Sequence, residues 1–160
     1  MTREIGFRLV DVFTPTPLSG NQLCVVPDPA DLHTDEMLAL TREIAFSETT
    51  FVTRTRSDGY DVRLFTPDTE LPFAGHPTLG TAYVLVSEGL VTSPAIQVVP
   101  AGDIPVEVDV AGHFAWMTQL PPRFLEPYED LELLARAIGL EVAISRPACR
   151  CSPCRPVCHR

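Results

Sequence analysis

Two short segments set acid–base side chains beside apolar elements. Ser47-Glu48-Thr49-Thr50 joins a helix-like stretch to a strand-like one, between Phe46 and Phe51. A carboxylate flanked by aromatic rings loses hydration, and its pKa rises toward the range where it takes and returns protons at neutral pH. The competing reading is a glutamate that caps the junction or is solvated there. Gly75-His76-Pro77-Thr78 opens a strongly apolar run. N–H groups at the start of a helix lack intrahelical partners and favour an anion. Gly75 has no Cβ to hold a ligand off the backbone, and His76 can donate to a carboxylate or enolate oxygen. Here the competing reading is a structural histidine that caps the helix. Gly20-Asn21 is a weaker candidate, because that pair in a loop usually only turns the chain.

The cysteines offer different chemistry. Cys24 stands alone, whereas Cys149, Cys151, Cys154 and Cys158 crowd the C-terminal end beside His159. The first two are separated by a single residue, short of the two to four typical of zinc knuckles. No acid lies in that segment to orient His159 as a ligand. The expectation is no metal site, with a small tail-based metal protein as the competitor. Other classes drop out by composition. All 12 basic residues are arginine, so no lysine is present for a Schiff base or a Walker-type phosphate loop. The sequence also lacks G-x-G-x-x-G, H-E-x-x-H and G-x-S-x-G. With 21 acids the net charge is −9, which disfavours nucleic acid. No run approaches the roughly 18–20 apolar residues that span a bilayer, and no secretion signal opens the chain. No membrane association and a cytoplasmic location are expected.

The candidate residues need elements to hold them. Residues 5–13 and 23–26 read as strands, rich in β-branched and aromatic residues. A helix follows Asp35 and Glu36, with Met37, Leu40 and Ile44 as its buried stripe, ending near Phe46-Ser47. Residues 49–55 and 60–66 read as a hairpin in which Gly59 supplies a positive φ. Val62 and Leu64 share one face, and Asp61, Arg63 and Phe65 the other. A proline-studded loop over 66–77 then leads to a helix over about 77–88, with Pro77 at its first position. That helix is apolar on nearly every side, which requires burial all round. Strands are expected at 95–99 and 104–110 and through Trp116, then a last helix within 128–139 closed by Gly139. The class is α+β, a mixed sheet rolled around one central buried helix.

Together, Asp11-Val12-Phe13, Gly20-Asn21, Phe46 to Val52, Arg63 to Pro67 and Glu70 to Ala82 resemble the PhzF family, the phenazine-biosynthesis-like isomerases, over about residues 5–120. Gln22 departs from the proline usual after that Gly-Asn. The resemblance implies a diaminopimelate epimerase-like fold and an isomerase or epimerase that moves a proton on a small carboxylate-bearing metabolite without a cofactor. It makes Glu48 the catalytic proton carrier. It assigns substrate binding to Gly20, Asn21, Ser47, Gly75, His76 and Thr78, with His76 positioning the substrate and Gly75 and Thr78 supplying backbone donors. Family members pair two such domains across a cleft, and the second domain's Asp-Ala-Thr-Gly-Ser-like loop does not occur here.

The chain accordingly divides into a PhzF-like N-terminal domain, 1–145, and an unstructured tail, 146–160, whose four arginines, four cysteines and three prolines read as a truncation or frameshift product. The alternative function is an inactive fragment that folds or associates without turnover. Association, such as a homodimer, is expected through the exposed domain face.

Overall fold

The computed structural model describes residues 4–140; the tail over 146–160 lies outside them. Packing divides the chain into two compact units, Met1–Leu120 and Pro121–Arg160. Among the described residues the first holds eight strands and two helices. They run β1 (Arg8–Val12), β2 (Asn21–Val26), α1 (Thr34–Ile44), β3 (Glu48–Arg56), β4 (Gly59–Phe65), β5 (Glu70–Leu71), α2 (Gly75–Ser87), β6 (Ala95–Val99), β7 (Gly102–Asp109) and β8 (Phe114–Met117). One mixed sheet has the order β1-β2-β3-β4-β6-β7-β8, with β5 attached to β4. The pairs β2–β3 and β4–β6 are parallel and the others antiparallel.

Alternation along the strands splits the apolar side chains between two faces. Leu23, Val25, Val52, Val62, Leu64, Ile104 and Val106 point inward around α2 and are buried with its Ala82, Val84 and Leu85. Cys24, Val26, Phe51 and Phe65 point to the other face, where Met37 of α1 covers them. The Phe51 and Phe65 rings meet edge-on at 5.5 Å. The α+β roll around a central helix is therefore present, and α2 is buried because strands surround it.

Three local expectations are corrected. α2 begins at Gly75, so Pro77 is its third residue; a missing N–H is equally harmless there, because the first turn has no intrahelical acceptor. Gly59 is not among the positive-φ residues. It is the first residue of β4, and a Cβ there would approach the Ile96 carbonyl oxygen to 2.4 Å, so glycine is needed for close strand approach. Part of the loop over 66–77 pairs as β5, with Leu64 opposite Leu71 and Phe65 opposite Glu70.

α1 has its expected stripe, with the Glu36 carboxylate accepting the His33 backbone N–H at 2.9 Å and Ala45 closing it at φ 59. In the second unit, Asp130 caps α3 (Leu131–Ala137) by accepting the Leu133 N–H at 2.9 Å, and Gly139 follows at φ 70. Among the described residues no helix is long and apolar enough to cross a membrane.

Candidate active site

The first residue of β3 and the second of α2 meet at one end of the rolled sheet. Glu48 lies beside Leu23 in the parallel β2–β3 pair, and its carboxylate faces the helix. His76 Nδ1 stands 3.0 Å from Glu48 Oε2, with side-chain exposures of 7% and 16%. A carboxylate at that distance favours the ring proton on Nδ1. Among the described residues His76 Nε2 is buried without a hydrogen-bond partner. A buried polar atom left in this state awaits a ligand or costs free energy. Glu48 does not sit between two aromatic rings as the sequence suggested. Phe51 is three residues along the strand, so it points to the α1 face with Phe65 and Met37.

The helix start is polar by construction. Ala74 is the N-cap in extended conformation without a side-chain cap, and the first turn contains no acid. Gly75 and His76 occupy positions whose N–H groups have no intrahelical acceptor, and Pro77 has no N–H to offer. The partial positive charge of the helix end is thus directed at Glu48 and at whatever anion lies beside it. One turn further in, Thr81 and Thr50 share a buried hydroxyl–hydroxyl hydrogen bond of 2.8 Å, which fixes the helix against the strand carrying Glu48. Thr78 is wholly buried, and its hydroxyl donates to the Ala74 carbonyl at 2.8 Å.

The neighbouring loops supply the rim. Ser47 Oγ donates to Asn21 Oδ1 at 3.5 Å, a long bond between the loop before β3 and the first residue of β2. At Gly20 a Cβ would come within 2.6 Å of the Val12 carbonyl oxygen and 2.5 Å of Thr14 Cγ2, so this glycine lets two loop segments touch. Those segments hold Phe13, to which no sequence signal assigns a role. Its backbone is left-handed, φ 66, and its ring centroid lies 6.4 Å from that of His76. Backbone strain in a non-glycine residue next to buried polar groups is a mark of functional sites.

On the opposite sheet face Arg63 clamps Glu70, Nε to Oε1 at 2.8 Å and Nη2 to Oε2 at 2.6 Å. The guanidinium also lies 5.1 Å above the Phe65 ring and donates to Thr34 Oγ1 at 3.1 Å. The Arg63 hydrogen bonds hold the Glu70 carboxyl below its usual range, and Glu70 in turn raises Arg63. This clamp anchors β5, from which the chain runs into α2. The pairing leaves no local signal in the sequence, because it depends on β5 folding back along β4. Burial pushes the Cys24 thiol up to about 11, which removes it as a nucleophile. Among the described residues no three potential metal ligands come together; Cys149, Cys151, Cys154, Cys158 and His159 lie outside them.

Residues 10–146 match the family described as phenazine biosynthesis-like protein, PhzC-PhzF. A relative from Mesorhizobium japonicum named an uncharacterised isomerase is 41% identical over 144 residues, covering 84% of this chain and 47% of that relative. The trans-2,3-dihydro-3-hydroxyanthranilate isomerase of Pseudomonas aeruginosa is 48% identical over 83 residues, 51% of this chain and 30% of that enzyme. Among solved structures, one titled a predicted epimerase from Pseudomonas aeruginosa superposes with a TM-score of 0.77 at 28% identity, covering 88% of this chain and 52% of that one. The matches thus span about half or less of each of these proteins.

Proposed function

The chain belongs to the phenazine biosynthesis-like PhzC-PhzF family, and from that premise we propose that its Met1–Leu120 unit carries the proton-transferring half of an isomerase site. One observation carries the reading. A carboxylate and a buried imidazole stand 3.0 Å apart at a helix start that offers free N–H groups. Glu48 takes a proton from a substrate carbon next to a carboxylate or a conjugated system. The electron pair left behind spreads onto the substrate as an enolate-like anion. The N–H groups of Gly75 and His76 and the helix end stabilise that charge. His76 Nε2, without a partner among the described residues, is the ring atom that faces a polar group of the substrate. Glu48 then returns the proton to a different carbon, so atoms and electrons balance without oxidant or reductant. Asn21, Ser47 and Gly20 shape the rim, and Phe13 forms an apolar wall beside His76. Thr78, the fourth residue of α2, has its N–H taken by the helix and so serves through its hydroxyl bond to Ala74, not as the backbone donor that the resemblance implies.

A second reading follows from the matched length. The resemblance implies a site between two domains, where closing the cleft would exclude water and complete the charge complement. A unit holding one side of the cleft binds an anionic metabolite with little net isomerisation.

Both readings are tested with trans-2,3-dihydro-3-hydroxyanthranilate as probe in deuterium oxide. The proton-transfer reading expects slow incorporation of deuterium at the carbon that receives the proton, lost in Glu48→Gln. Equal incorporation with Glu48→Gln removes Glu48 from the chemistry. Probe binding with no incorporation in either protein selects the second reading.

A further inference from the structure

Gln97 lies in β6 among apolar residues and is wholly buried, yet both ends of its amide are used. Its Oε1 accepts from the Tyr60 hydroxyl at 3.1 Å, and its Nε2 donates to Thr78 Oγ1 at 2.7 Å. Thr78 in turn donates to the Ala74 carbonyl at 2.8 Å. Three hydrogen bonds therefore run from β4 through β6 to the N-cap peptide of α2, immediately before Gly75 and His76. The polarity has a single solution. The amide nitrogen can only donate, so the Thr78 oxygen accepts from it, and the Thr78 proton is left for Ala74. Tyr60 closes the far end as a donor, and its burial drives its pKa up, away from ionisation.

A buried amide of this kind costs free energy unless every group is paired. Leucine or methionine would fill the same space without the requirement. The relay ends on the one peptide that sets where α2 starts, and a helix start that shifts carries His76 away from Glu48. We propose that Gln97 is a positioning residue for the Glu48–His76 pair, acting through Thr78 and the Ala74 carbonyl. The inference rests on the proposed role of that pair.

The test is nuclear magnetic resonance on the 160-residue chain with ¹⁵N-labelled histidine, alongside amide exchange. Glu48→Gln is the reference, because it removes the charge beside Nδ1 and moves the His76 ring resonances directly. Gln97→Met and Thr78→Val are expected to move those resonances most of the way toward the Glu48→Gln position. They should also speed exchange of the Thr78 amide about tenfold more than that of Leu85, the effect of losing one net hydrogen bond. Gln97→Glu should do the same, since a carboxylate takes the Thr78 proton away from Ala74. Thr78→Ser keeps the hydroxyl and should leave the ring resonances at the wild-type position. A lower melting temperature with unmoved His76 resonances in Gln97→Met would show that Gln97 only fills the core, and would overturn the inference. If Gln97→Met does not fold, Thr78→Val decides between the same two outcomes. Ring resonances that move in Glu48→Gln and not in the relay variants sink this inference alone. Ring resonances unmoved even by Glu48→Gln sink the paired site and this inference with it.

Discussion

At Glu48 one carboxylate oxygen stands 3.0 Å from His76 Nδ1 and the side chain is 16% exposed. Glu48→Gln keeps the shape and removes the base, so proton exchange from a bound substrate should fall by about 10²-fold or more while the fold survives. A second residue-scale test concerns Glu70, whose folded pKa Arg63 holds below the ordinary 4.5. A depressed carboxylate pKa stabilises the fold fully above the unfolded value and loses that contribution as pH falls through the folded one. The melting-temperature gap between wild type and Glu70→Gln should be widest above about pH 5 and should close on acidification; a gap independent of pH would contradict the clamp. Glu48 and His76 were legible in the sequence because each sits in a short motif whose chemistry is local. Flanking in sequence by Phe46 and Phe51 does not translate into flanking of Glu48 in space. A strand sends residues 48 and 51 to opposite faces, and the true neighbour of Glu48 comes from 28 positions along the chain.

The elements position the pair through two kinds of fit. α2 is held by apolar contact on nearly all sides and by the Thr50–Thr81 hydroxyl pair. β4 approaches β6 so closely that only glycine fits at residue 59. Gly59→Ala pushes a methyl group into the Ile96 carbonyl and should cost about 1–3 kcal/mol of stability, read from urea denaturation. An unchanged midpoint would mean that the β4–β6 approach is looser than described. Sequence assigned most elements correctly, since period and turn residues are local signals. It gave Gly59 a turn conformation because its real partner, Ile96, arrives from a strand beyond α2. It missed β5 because two residues carry no periodicity.

For the whole molecule, the rolled sheet and its central helix followed from one pattern, an apolar-all-round helix in a strand-rich chain. The strand order did not follow, since the parallel neighbours β2–β3 and β4–β6 are joined across helices. The Met1–Leu120 unit leaves Leu9, Phe13 and Leu18 exposed near edge strand β1, and Phe114 and Trp116 on edge strand β8. Apolar side chains along open sheet edges drive association. Sedimentation should therefore show dimers or larger species, and a monomer at every concentration would contradict that expectation. The central claim is that the proposed site moves protons through Glu48. Deuterium incorporation into the same probe, compared between wild type and Glu48→Gln under identical conditions, tests it most directly. Incorporation that depends on Glu48 is the predicted result, and incorporation at the same rate in both proteins would contradict it.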